Sequence, residues 1–135
     1  MVLINILRSF SKSIAIICLI LYLSFASPST FEEVPTFEND DKLAHVLIYL
    51  GLTCILIFDY KKASSKVNVN LFTFVFTCVF FPILLGGAIE ILQTLVFYPR
   101  TASWFDWLAD MLGVLLGWLG MSFIKMTPKI SNESK

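Results

Sequence analysis

The chain has 135 residues, of which 57% are hydrophobic and 15% charged, with ten basic and ten acidic side chains and no net charge. Soluble domains seldom combine so large an apolar fraction with so few charges, so the composition points to one small integral membrane domain without room for a soluble catalytic unit. The zero balance, with no basic patch beyond short connections, argues against a nucleic-acid partner.

A bilayer core of ~30 Å needs about 20 helical residues, and four stretches approach that length. The first covers 13–26 and is extended backward by Ile4, Ile6, Leu7 and Phe10. Arg8 and Lys12 ahead of it, with Ser24, Phe25 and Ala26 behind, also fit a secretory signal, although a retained helix is preferred. Residues 27–41 are polar and acidic, and Pro28 and Pro35 break any helix there. They form an exposed outer loop, either a solvated linker or a lid. The second span is 43–58.

The third span, 71–97, is longer than a bilayer requires and must tilt, bend or project. Pro82 with Gly86 and Gly87 either bends it or lets a neighbouring helix come close. The fourth span is 105–124. Cys18, Cys54 and Cys78 are widely separated within apolar runs, without CxxC or Cys/His spacing, so they read as packing residues. No metal and no cofactor is expected from these patterns. The organisation is 1–39, a first helix and its loop; 40–124, a three-helix unit; and 125–135, a tail.

Charge orients the spans. Arg8 and Lys12, then Lys61, Lys62 and Lys66, then Lys125, Lys129 and Lys135 fall on one side, against Lys42 and Arg100 on the other. The positive-inside rule therefore predicts an all-α, four-helix polytopic protein of the cytoplasmic (inner) membrane with both termini cytoplasmic. Asp41, Lys42, His45, Glu90, Gln93, Arg100, Asp106 and Asp110 then gather near the outer face.

Helical spacing shows which of these can meet. Asp106, Asp110, Gly113, Gly117 and Gly120 recur at steps of four, three, four and three, a single stripe whose glycines admit a neighbouring backbone. Gly86, Glu90 and Gln93 repeat the pattern on the third span, and Asp41 and His45 share a face of the second. Gly51 lies off that face. Ionisable groups at membrane depth are costly, which makes this cluster the candidate site.

Two interpretations stand side by side. In the first the cluster is an ion-paired plug: Arg100 bridges Asp106 and Glu90, Lys42 pairs with Asp110, and His45 donates to a carboxylate. In the second it is an outward cavity, where four acids against two bases need a proton, a cation or a cationic ligand. No Ser/His/Asp order, P-loop, HExxH or EF-hand occurs, so no reaction class follows.

From about Asp40 to Gly120 the chain resembles the VanZ-like family of bacterial membrane proteins. The resemblance rests on Asp41-Lys42-Leu43-Ala44-His45 followed by Tyr49, on Glu90-Ile91-Leu92-Gln93, on Arg100, and on Asp106, Gly113 and Gly117. The family pattern usually has asparagine where Asp110 stands. The resemblance implies a cell-envelope setting, and the namesake is linked to teicoplanin resistance, so an envelope amphiphile or glycopeptide joins membrane lipid among the expected partners.

The expectation is a protein that binds or modifies such an amphiphile at the outer leaflet. Lys42 and Arg100, with Asp41 and Gln93, would form the ligand-binding set, and His45 with Glu90 would exchange protons. Asp106 and Asp110 would orient these groups or hold a cation, and Gly86, Gly113 and Gly117 would pack the helices. The alternatives are a non-catalytic helper of a membrane complex, a homo-oligomer included, and a proton-linked transporter.

Overall fold

The computed structural model describes residues 2–26, 40–64, 70–96 and 102–124. Every element in them is helical: α1 (Val2–Ser9), α2 (Ser11–Phe25), α3 (Asp40–Ser64), α4 (Leu71–Val75), a π-helical turn (Phe76–Phe80), α5 (Phe81–Val96) and α6 (Trp104–Phe123). No strand occurs among the described residues. The α4–π–α5 segment is continuous, so Leu71–Val96 and Asp40–Ser64 are two helices long and apolar enough to cross a membrane.

The first apolar stretch is not the single span that its hydropathy suggests. It is divided at Phe10, whose backbone (φ −98°, ψ 16°) supplies no side-chain cap to α2. That missing cap comes from another helix. The carboxylate of Asp59 on α3 accepts both the backbone N–H of Ser13 at 3.0 Å and its hydroxyl at 2.9 Å. A negative group at a helix N-terminus offsets the orphan amides and the positive end of the dipole. α2 itself has 15 residues, ~22 Å at helical rise, and is shorter than a bilayer core.

The other boundaries follow local chemistry. α3 begins with Asp40 and Asp41 and closes with Lys61 and Lys62, the charge order that a helix dipole favours. Asn70 caps α4 through Thr73, and Ser103 caps α6 through the N–H of Asp106. The bend expected at Pro82, Gly86 and Gly87 is resolved into two separate features. Proline has no N–H and crowds the carbonyl four residues back, here that of Cys78. The backbone widens just before it, and the N–H of Phe81 bonds the carbonyl of Phe76, five residues behind. The glycines, by contrast, provide close contact.

Successive bundle helices alternate in direction. Ser13 at the start of α2 meets Asp59 near the end of α3, whereas Ser24 at the end of α2 meets Gln93 near the end of α5. α3 and α6 run parallel and share the most extensive interface, with α5 against α6 and α2 against α3. Glycines set its closeness: a Cβ on Gly113 would collide with the carbonyl of Val46, and one on Gly117 would lie 2.9 Å from that of Leu50. Gly51 and Gly120 face open space, so the stripe of contact ends before Gly120. The start of α2 and the end of α6 lie at the same end of the bundle, where the Phe10, Tyr60, Phe74 and Trp118 rings meet in series.

The core holds Leu52, Ile57, Phe74, Cys78 and Val114, but carboxylates are buried beside them. α6 buries Asp106, Asp110, Gly113 and Gly117 and exposes Phe105, Leu108, Leu112, Leu115 and Leu119. Carboxylates within and leucines without reverse the order of a water-soluble helix, and apolar surface this continuous calls for an apolar surrounding.

Candidate functional site

The beginnings of α3 and α6 and the end of α5 bring the polar residues to one end of the bundle. Their common level follows from the parallel α3–α6 pair, since the glycines below hold the two backbones together. At its centre the Nδ1 of His45 is 2.8 Å from an oxygen of Asp110, which is 1% exposed. An ionised carboxylate only accepts, so the imidazole donates from Nδ1. In the neutral ring Nε2 then keeps its lone pair, 4.0 Å from Asp41.

Gly86 makes room for this pair. A Cβ there would strike the Asp110 carboxylate and come within 3.2 Å of the Tyr49 hydroxyl. Gly87 does the same for Trp107, whose indole N–H donates to the carbonyl of Ile83 at 2.9 Å and so ties α6 to α5.

Lys42 approaches Asp106, with 3.9 Å between Nζ and Oδ1, and not Asp110 as the plug arrangement supposes. Asp106 is buried, 8% exposed, and its Oδ1 has no hydrogen-bond partner among the described residues. The sequence Ser103-x-x-Asp106 has the form of a capping box, in which the N3 acid returns a bond to the N-cap amide. Only half of that box is made. Ser103 accepts from the N–H of Asp106 at 3.3 Å, but the N–H of Ser103 donates to Glu90 at 2.9 Å. Glu90 performs the capping role and leaves the Asp106 carboxylate for other work.

Glu90 and Gln93 thus serve the scaffold. Glu90 binds the start of α6, and the Gln93 amide donates to the carbonyl of Ser24 at 2.7 Å, fixing the end of α2. Of the two residues expected to exchange protons, His45 contacts Asp110 and Glu90 accepts from the Ser103 amide. Asp41 is the most exposed member of the cluster. Arg100 lies outside the described residues. Asp41, Lys42, His45, Asp106 and Asp110 therefore interlock, while Glu90 and Gln93 stand beside them with structural partners.

Sequence reasoning overlooked three residues. Ser103 was marked by its capping spacing. Trp107 carried no distinguishing signal. Asp59 was concealed by Lys61 and Lys62, which made its surroundings resemble a charged connection; yet it continues the buried face of Leu52 and Leu56 at helical steps. Comparisons of the chain with protein-family profiles, with curated proteins and with solved structures find no match.

Proposed function

We propose that the chain is a four-span, VanZ-like membrane protein of the cell envelope that binds or modifies an envelope lipid or another amphiphile. Both ends would lie in the cytoplasm and the polar cluster near the outer leaflet, with α2 spanning by local thinning of the bilayer. Lys42, joined by Arg100, takes the anionic head group. His45 is the proton acceptor at Nε2, oriented by Asp110. The link to teicoplanin resistance enters only through the family resemblance.

The observation that carries this reading is the part-buried His45–Asp110 pair beside a carboxylate oxygen with no hydrogen-bond partner among the described residues, at the end of a bundle whose outer faces are apolar. Lipid profiling of a deletion strain complemented with the wild-type chain, His45→Ala or Asp110→Asn tests it. The expected result is restoration by wild type alone at equal protein levels; equal restoration by both variants overturns it. Reporter fusions after Asp40 and after Lys66 test the topology, the first expected outside and the second inside.

A second reading has its own support. Glu90 and Gln93 spend their polar groups on Ser103 and Ser24, as a structural helper would. Under that reading His45→Ala and Asp110→Asn lower the abundance of a partner complex and leave lipids unchanged.

A further inference from the structure

We infer that Asp41, His45 and Asp106 form a binding site for one divalent transition-metal ion of the Zn2+ class. One carboxylate oxygen from each aspartate and one imidazole nitrogen lie within 4.8 Å of one another. Ligand atoms in a tetrahedral shell with bonds of ~2.0–2.1 Å stand roughly 3.3 to 3.4 Å apart, so an inward movement of about 1 to 1.5 Å completes the set. Asp41, exposed and at the start of α3, is the member able to make that movement.

Three acidic or imidazole groups in proximity are common, and proximity does not carry the inference. Asp106 does. Its Oδ1 is buried, and Lys42, its ion-pair partner among the described residues, is beyond hydrogen-bond range at 3.9 Å. Burying a carboxylate oxygen without a hydrogen-bond partner is costly unless something compensates it. The partner that helix capping would offer, the Ser103 amide, is already held by Glu90. The fold therefore keeps, in a residue of this cluster, a carboxylate oxygen that has the Lys42 ammonium at 3.9 Å but no hydrogen-bond donor among the described residues.

His45 is prepared for the same task. Its Nδ1–H donates to Asp110, the carboxylate–imidazole arrangement that fixes ring orientation and strengthens a metal-bound nitrogen. Nε2, on the Asp41 side, is the free ligand atom. Imidazole with two carboxylates favours a transition metal over Mg2+ or Ca2+, which prefer all-oxygen shells. Three protein ligands leave a fourth position open, beside the ammonium of Lys42. An anionic oxygen of a head group fits there, so the inference deepens the lipid reading and rests on it for that last ligand alone.

The test uses the full chain purified in detergent and stripped of metal. Zn2+ is titrated in competition with a chromophoric chelator, and Co2+ is added separately to read coordination from its visible absorption. We expect one ion per chain, intensified Co2+ bands, and affinity lower by at least about tenfold in His45→Gln and Asp106→Asn. Asp110→Asn should weaken the site by about 10–100-fold without changing its stoichiometry. Should those buried variants fail to fold, Asp41→Asn, at an exposed position, still decides the matter by the same competition.

Metal uptake no greater than the detergent blank, or equal affinity in Asp41→Asn and wild type, overturns the proposal. Flotation with phosphatidylglycerol vesicles, with and without EDTA, separates it from the lipid reading. Vesicle binding that persists in EDTA, in a chain that takes up no metal, overturns the metal site and leaves the lipid reading standing. Stoichiometric metal uptake without vesicle binding or a lipid phenotype upholds the site and removes the lipid reading.

Discussion

Asp59 and Asp106 are both buried carboxylates in a bundle with an apolar exterior, and they are held in opposite ways. Asp59, 1% exposed, has an oxygen that receives two hydrogen bonds from Ser13 at the uncapped start of α2. Asp106 has an oxygen that receives none, and its natural partner is occupied by Glu90. The difference lies in what surrounds each group, since both are aspartates within the buried part of the bundle. A carboxylate matched to orphan amides is a fastening. One deprived of them, beside an oriented imidazole and a lysine, is available to a ligand.

The strongest way to break this contrast is Asp59→Ala. It should lower stability by about 2–4 kcal/mol, because two charge-assisted bonds are lost at a helix end, and Asp59→Asn should recover roughly half. Reversible denaturation in detergent measures both. The His45 ring resonances should stay unchanged, since Asp59 is ~21 Å from His45 along α3; a shift would mean that the two ends are one system.

Gly113→Ala should come next, at about 1–3 kcal/mol, because its methyl group meets the Val46 carbonyl and forces α3 from α6. Here loss of stability and of the His45–Asp110 bond should appear together in the same denaturation and NMR measurements. Asp110→Asn sharpens the comparison from the other side. It removes the charge while retaining the shape, leaves no unpaired buried ion, and should cost only about 1 kcal/mol while abolishing the lipid phenotype. A larger loss of stability would class Asp110 with Asp59. The smallest effect belongs to Gly51→Ala and Gly120→Ala, which meet open space and should gain up to about 1 kcal/mol from helix propensity. A loss at either would reveal a partner helix on that face.

Much of this arrangement was legible in the spacing of small and acidic residues. Asp106, Asp110, Gly113 and Gly117 share a face because four- and three-residue steps follow helical geometry, and that property needs no tertiary information. The glycines identified where the backbones meet; they did not identify which carboxylate His45 would choose. That choice depends on the few ångströms settled by Gly86 and by Glu90 holding Ser103. The division at Phe10 and the cap from Asp59 were illegible for a related reason: hydropathy counts apolar residues and does not register a carboxylate acceptor supplied from 46 positions away.

The π turn has a consequence for rotational phase. Phe74, Cys78, Pro82, Gly86 and Glu90 are all buried, yet they recur strictly every fourth residue. At ~100° per residue such a series drifts by ~40° at each step, so Phe74 and Gly86 would point ~120° apart on an ordinary helix. One additional residue within Phe76–Phe80 takes back about 100° and returns both ends to a common side. The widened turn is thus an indexing device. Without it, a helix that buried Phe74 among the aromatic rings would present Glu90 to the bilayer, and Ser103 would lose the acceptor that sets Asp106 free.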